Sequence, residues 1–534
     1  MKHIINIMVS AAVAAALSSC ISLDTPPYDR ETDLTFWTED PNAALKTLNT
    51  CYTRLSSIEE LVYSEGMTDN AYVKMPNGYT QSIGNGSYST ADGYVRSVWS
   101  SRYAGIRLCN ELFANIDLVP GLSAELKNRY IGEAKVIMAY HYYELYTKFG
   151  AVPWIDKTIS IEESKTISRT DRETVVSNIL KELDEVINNG WLPTSYSGDD
   201  RGRITHYAAK AVKAKVLLFE GDWDGVYSLT SDIMQNGGYE LFPSYSGLFE
   251  TANEYNREII LDKEYRLVSN EHGIQYNFLP PSLGGYSLIA PLQELVDSYI
   301  MLNGKAISEA GSGYDANNPY SGRDPRLAAT VMYTGNSYTL ANGSTVTIDC
   351  NSGRDMAAIL GGDSDTTPTG YYIKKFWDKD YRENLLSGLN PPIIRYADIL
   401  LMNAEAAAEL GTLDSGIWNN TVKAVRSRAG FTDAGALNFP SGVSKEGLID
   451  IIRNERRSEF ALEGLRHKDI IRWKIAETVL NGWCHGFYTG SGVGTDDGYF
   501  RVESRQFDAA KHYLWPIPQN DRDLNRNLSQ NPNW

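Results

Sequence analysis

The chain is poor in the residues that build metal and redox centres. Five cysteines and seven histidines occur in 534 residues. No two cysteines form a C-x-x-C pair and no HExxH is present, so zinc and dithiol chemistry lack their usual ligand spacing. The sequence has neither a GxxxxGK[ST] phosphate loop nor a GxSxG nucleophile elbow. Gly84-Asn85-Gly86 lacks the third glycine of a dinucleotide site, and Asp363-Ser364-Asp365 lacks the glycine and distal glutamate of a calcium loop in register. Positive charge is in deficit too. Fifty Lys+Arg against 67 Asp+Glu leave a net charge of -17, which removes whole-chain support for binding nucleic acid or anionic lipid. The sequence thus calls for no cofactor and no metal. Many acidic residues always supply some carboxylate pair at glycosidase spacing, so surface glycoside hydrolysis stays open as an alternative.

Long hydrophobic runs are missing except at the start. MKHIINIMVSAAVAAALSSC places Lys2 before an apolar run that ends at Leu17, too short and wrongly flanked for a spanning helix. Residues 1–19 read as a secretory signal. Leu17-Ser18-Ser19-Cys20 reads as a lipobox, with Cys20 the lipidated residue. Several acyl chains on one residue anchor stably where one is marginal. Residues 20–35 are the expected tether, kept extended by Pro26 and Pro27. Contact with the membrane is expected through this anchor alone. Cys51 and Cys109 fall in apolar helical patterns and are expected as small core residues. An exported chain can form disulfides, but sequence assigns none.

What is present is helical periodicity in two blocks. Helices are expected over 41–57, with Asp40 as cap, and over 99–116, 124–149, 170–187, 205–220 and 223–235, then over 396–410, 415–428, 445–463 and 467–480. AAKAVKAKVLLFEGDWDGVYSLTSDIM and YADILLMNAEAAAELGTLDSGIWNNTVKAV share one plan: Ala-rich helix, glycine turn, second helix. That plan resembles tetratricopeptide pairs, an ordinary helical bundle being the alternative. The segment 239–392 is rich in Gly, Tyr, Ser, Asn and Pro, with strand-like pieces in REIILDKEYRLV and STVTIDC. The glycine-rich insert 482–504 is similar in character. Long irregular stretches of this kind carry function or are disordered, and their aromatic content argues against disorder. The fold class expected is therefore mainly α: a helical-pair scaffold, a loop-rich region and a few short strands.

The densest charge lies in RNERRSEFALEGLRHKDIIRW, residues 453–473. Glu455, Glu459 and Glu463 stand at i, i+4 and i+8, an acidic stripe in which each uncompensated neighbour pair would cost about 0.2–0.5 kcal/mol. Arg453 and Arg457 form a second stripe, and Arg456 and Arg466 reach from other sides. Apolar Ile452, Phe460, Leu462 and Leu465 stand among them. The pattern predicts a partly buried ion-pair network that sets a helix–helix angle, not a catalytic centre.

Several segments together resemble the SusD/RagB family of outer-membrane nutrient-binding lipoproteins: the lipobox, GEAKVIMAYHYYELYTKFGAVPW, GRITHYAAKAVKAKVLLFEGDW, APLQELVDSYIMLNGKAI, YSGRDPRLAATVMYTG, PPIIRYADILLMNAEAAAEL, RSRAGF, the charged stretch, and the ending YLWPIPQNDRDLNRNLSQNPNW. The resemblance covers nearly the whole chain in order. It implies one domain over 36–534, with the scaffold mainly in 36–238 and 393–480, the binding region in 239–392 and a C-terminal segment from 481. It implies a non-catalytic lid on a SusC-like TonB-dependent transporter, passing glycans, or peptides in some members, into the barrel. The family's binding loops vary, so ligand residues are chosen from this sequence. Its 34 Tyr and 11 Trp offer apolar faces with polar tips, matching the C–H faces and hydroxyls of sugars. In the first loop the candidates are Asp69, Asn70, Tyr72, Lys74 and Tyr79. In the central loops they are Tyr276, Phe278, Tyr286 and Trp377. The aromatics would stack on rings while Asp69, Asn70 and Lys74 bind hydroxyls.

Overall fold

The computed structural model describes residues 33–75 and 79–534. The signal segment, Cys20 and nearly all of the tether lie outside the described residues. No described helix is long and apolar enough to cross a membrane.

The principal helices are α1 (Ala43–Tyr52), α2 (Gly93–Asn115), α3 (Ala124–Phe149), α4 (Arg172–Asn188), α5 (His206–Glu220), α6 (Trp223–Asn236), α7 (Ile274–Phe278), α8 (Gln293–Ser298), α9 (Tyr396–Glu409), α10 (Val422–Ala429), α11 (Lys445–Glu459) and α12 (Arg466–Arg472). Their starts follow from capping. Ser123, Thr205 and Asp222 each accept a backbone N–H of the first turn of α3, α5 and α6. Asp40 does not cap α1 directly; it accepts the N–H of Asn42, and the helix begins one residue later.

Consecutive helices pack in series: α2 on α3, α3 on α4, α4 on α5, α5 on α6. The series then skips the irregular region, because α6 packs on α9 and α9 on α11. The helical-pair scaffold expected from the sequence is the architecture found. Small residues set the closest crossing. A Cβ on Gly105 of α2 would lie 2.2 Å from His141 Nε2 of α3, so only glycine admits this approach.

Four expected helices are shorter than their periodicity suggests, the 41–57 helix spanning only Ala43–Tyr52. The 415–428 helix breaks at Thr421. The 445–463 helix ends at Glu459, and Leu462 and Gly464 take positive φ beyond it. The 467–480 helix ends at Arg472, with Lys474 at φ 57°. Apolar spacing continues past the last three breaks, but the backbone turns to bring charged side chains onto neighbouring elements.

The strands are short: β1 (Ala71–Val73), β2 (Ile259–Asp262), β3 (Ile289–Pro291), β4 (Val331–Met332), β5 (Ser337–Thr339), β6 (Thr345–Thr347), β7 (Tyr372–Ile373), β8 (Pro392–Arg395), β9 (Gly482–Tyr488), β10 (Thr495–Asp496) and β11 (Tyr499–Arg505). They form antiparallel pairs β1–β3, β2–β8, β4–β7 and β5–β6, plus the three-stranded sheet β10-β11-β9. The irregular region is not a loose appendage. It has its own apolar core, in which Phe278, Tyr299, Tyr338, Tyr371, Tyr372 and Phe376 are buried with Phe487 and Phe500 of the C-terminal sheet.

The charged stretch joins the two cores. Glu459 accepts from Arg326 at 2.8 Å, from Arg395 at 2.5 Å and from Arg428. Glu463 binds Arg395 and Lys375 at 2.8 and 2.6 Å, and Glu455 binds Arg426 at 2.7 Å. Burial opposes ionisation of Glu459, yet the guanidinia of Arg428, Arg395 and Arg326 hold its carboxyl far below the usual range. The expected network exists and is fully buried, but its cations come mostly from other elements. Arg456 serves Asp398 and Asp469 instead, while Arg453 stacks on Trp473. The Arg-Asp-Pro-Arg-Leu motif gains a reason. Arg323 donates to the carbonyls of Val296 and Tyr299, and Asp324 binds Arg326 at 2.7 Å, aiming it at Glu459.

Candidate functional site

The first-loop residues stand where β1 enters the irregular region, and packing has claimed most of them. Arg466 donates through Nε and Nη2 to the two oxygens of Asp69, each at 2.9 Å, and Arg457 pairs with it at 3.0 Å. Burial opposes the charge, but Arg457 and Arg466 outweigh it and hold the carboxyl at about 2. Asn70 donates to Glu65 at 2.8 Å and accepts from Arg457 at 2.8 Å. Both side chains are buried with their hydrogen bonds spent, so the expectation that they bind sugar hydroxyls is corrected. Their partners stand some 390 positions later, a separation no local pattern reveals. Phe278 is also corrected, since it is fully buried in the core of the irregular region.

The remaining predicted residues keep partial exposure. Tyr72 accepts from Gln81 at 3.2 Å through its hydroxyl. Lys74 donates to the carbonyls of Ser364 and Thr366 at 2.7 and 3.3 Å, clamping that turn, and burial lowers it to about 8. Tyr79 packs on Tyr63 with ring centroids 4.8 Å apart. Trp377 packs between Tyr338 and Tyr381 and donates its indole N–H to Thr339 at 2.8 Å.

Tyr276 and Tyr286 stand out as open. Their rings lie 4.3 Å apart and are 41% and 42% exposed. Pro280 and Pro281 start the turn between them, Gly284 at φ 84° reverses it, and the Tyr286 N–H closes it on the Tyr276 carbonyl at 2.9 Å. Leu288 then donates to Asn277 and accepts from the N–H of Lys74, so Lys74, Tyr276 and Tyr286 share one edge. Ser282 donates to Asp355 at 2.9 Å, fixing the turn that carries Ile359 and Leu360, 53% and 41% exposed. Arg354, bonded to Asp363 and Asp365, forms a polar rim. One turn thus offers two tilted rings packed on each other, and the turn tied to it through Asp355 offers two exposed aliphatic side chains. Ile359 and Leu360 were readable only as apolar residues among turn formers. Among the described residues, no group of three or more His, Cys, Asp or Glu is placed to hold a metal.

Sequence comparison places this geometry. A profile described as SusD family matches residues 248–534. The chain belongs to the SusD family. A second profile, described as starch-binding associating with outer membrane, matches residues 37–218. A SusD-like protein of Bacteroides ovatus is 25% identical over 93% of this chain and 88% of its own length. A SusD-like protein of Formosa agariphila is 27% identical over 74% and 73%. Among solved structures, one from Bacteroides fragilis described as a SusD-like carbohydrate binding protein is 26% identical. It superposes with a TM-score of 0.83 over 93% of this chain and all of that one.

This SusD-family chain also carries a cleft that its sequence did not single out. A cleft of about 480 Å³ opens between α8, α11 and β9, lined by Glu294, Asp297, Asn454, Arg457 and Trp483. Trp483 is 46% exposed. The sheet is held to α8 by His485, whose ring and backbone nitrogens reach Glu294 at 2.7 and 3.0 Å and whose Nε2 meets Asp496 at 3.0 Å. The hydrogen bond to Glu294, helped by that to Asp496, raises the imidazole to about 9. The signal available was GWCHGFYTG, with Trp483, His485 and Phe487 at alternate positions among glycines.

Proposed function

We propose that this chain is a non-catalytic binding lipoprotein, anchored to the outer membrane through acyl chains on Cys20 and exposed at the cell surface. It captures glycans and delivers them to a SusC-like TonB-dependent transporter. On this reading residues 36–534 form the folded body and residues 20–35 its tether. The observation that carries the reading is the open Tyr276–Tyr286 pair. Two adjacent aromatic faces left in water at the edge of a rigid scaffold suit the C–H faces of sugar rings, and their hydroxyls suit ring substituents. The Bacteroides fragilis relative described as carbohydrate binding supports the ligand class, and the profile description of outer-membrane association supports the location. Glycan-array screening of protein lacking the anchor, followed by calorimetry, tests it. Tyr276→Ala/Tyr286→Ala should weaken a bound glycan by tenfold or more, about 1.4 kcal/mol, at unchanged melting temperature. Undiminished affinity would remove this face from the site.

Peptide capture in the same lid role is the second reading, favoured by exposed Ile359 and Leu360. A pool of tryptic peptides that binds where no arrayed glycan does, with loss on Ile359→Ser/Leu360→Ser, would select it.

A further inference from the structure

The cleft between α8, α11 and β9 holds polar groups that the fold leaves unused. Asp297 accepts one hydrogen bond, from Gln293 Nε2 at 2.7 Å through Oδ1. Its Oδ2 has no partner and the carboxylate has no ion pair among the described residues, although it is partly buried. Arg457 spends Nε and Nη2 on Asp69 and Asn70, which leaves Nη1 with no protein acceptor there. Asn454 donates through Nδ2 to the Ser298 carbonyl at 3.0 Å, and its oxygen has no partner among the described residues. Glu294, by contrast, is committed to His485. Partly buried polar groups without partners cost stability unless a ligand or water completes them. Beside them stands Trp483, backed by the Arg501 guanidinium at 5.4 Å from its ring centre. An aromatic wall, a carboxylate oxygen and a guanidinium nitrogen facing one space of about 480 Å³ make a pocket of ligand size, the usual range being roughly 300–1,000 Å³.

We infer that this cleft is a second saccharide subsite, which takes a neutral sugar unit and disfavours uronic or sulfated ones. The inference rests on the glycan reading above. Trp483 stacks on the ring face. Asp297 Oδ2 accepts from one hydroxyl, while Arg457 Nη1 donates to a neighbouring one, which a vicinal diol satisfies together. The charge balance sets the selectivity. Asp69, Glu294 and Asp297 are balanced in number by Arg457, Arg466 and His485, and Arg505 in the lining is met by Glu503, so the cleft holds no excess cation, while Asp297 keeps an unpaired carboxylate oxygen. An anionic sugar placed here would meet the Asp297 carboxylate with no spare cation to offset it. The two sites flank β3: Tyr286 lies three residues before its start and Glu294 three after its end. Eight residues span at most about 29 Å, a separation within the reach of a long glycan, and a second contact along one chain would act at high effective concentration.

Calorimetry with neutral hexasaccharides (β-1,3- and α-1,4-linked glucose, mannose and xylose) and with a galacturonate hexamer tests this. In the Tyr276→Ala/Tyr286→Ala background, at least one neutral hexamer should retain measurable binding. Trp483→Ala added to that background should reduce it tenfold or more. Asp297→Asn, which keeps the side-chain shape, should narrow the preference for neutral over galacturonate hexamers by severalfold. Trp483 lies on the surface, so its variant should melt with the parent. Residual binding untouched by both substitutions, a galacturonate preference, or no neutral binding in that background would each overturn the inference. Retention of full affinity by the tyrosine double variant alone would instead overturn the assignment of the first face.

Discussion

Neutralising Glu459 should cost stability and spare ligand binding. Its side chain is 0% exposed. The network around it balances in number: Arg326, Arg395, Arg426, Arg428 and Lys375 against Glu258, Asp324, Glu455, Glu459 and Glu463. Glu459→Gln keeps the shape and leaves one buried positive charge in excess. Removing one partner from a buried ion-pair set costs about 3–5 kcal/mol. For roughly 500 ordered residues, at about 2.1 cal/mol/K each, the unfolding entropy is about 1 kcal/mol/K. The melting temperature should therefore fall by about 3–5 °C at pH 7. The pH dependence supplies a second check. The folded carboxyl is held below its unfolded value of about 4.3, so its contribution is fully present above that value. It is lost as pH falls toward the folded value, by about 1.4 kcal/mol per unit. Protonated wild type then resembles the variant, and the gap between them should narrow on acidification below pH 4. Scanning calorimetry at pH 7 and pH 3.5, with glycan titration of the folded protein, measures both. Equal melting temperatures at pH 7, or selective loss of affinity at unchanged stability, would refute the scaffold assignment.

Tyr79→Ala/Trp377→Ala should lower the melting temperature while leaving glycan affinity within twofold, because both rings serve packing on Tyr63 and Tyr338; calorimetry plus titration checks it. The His485 Cε1–H resonance should titrate with an apparent value near 9. Its folded value is raised, so the tie between β9 and α8 is complete below about pH 6.5 and weakens as pH rises through 9; titration near 6.5 would show that Glu294 and Asp496 do not hold it. Cys51, Cys109, Cys350 and Cys484 are free and buried, so Ellman's reagent should label none of them in folded, anchor-free protein and all of them in denaturant.

The scaffold was legible because its signals are local. The Ala-rich faces of α5 and α9 and the caps Thr205 and Asp222 specify helices from a few adjacent residues, and the 124–149 helix has the predicted bounds. The site was less legible because burial is decided at a distance. Asp69, Asn70 and Phe278 look like loop residues until Arg457, Arg466 and the second core are placed against them. Tyr276 and Tyr286 share their composition with buried tyrosines such as Tyr371 and Tyr372; only the Pro-Pro-Ser-Leu-Gly turn separates them from the interior. Trp483 and Asp297 meet across nearly 190 positions, which no spacing rule reaches.

The ties between Asp69 and Arg466, and between Thr68 and Arg505, have a kinetic meaning. A chain that emerges from its amino end makes the β1 segment early, yet cannot satisfy the buried carboxylate of Asp69 until Arg457 and Arg466 have followed. Contacts of such sequence separation are closed late and slowly. The early helices α2 to α6 can pair as they emerge, but the ligand-bearing half must wait for the carboxyl end.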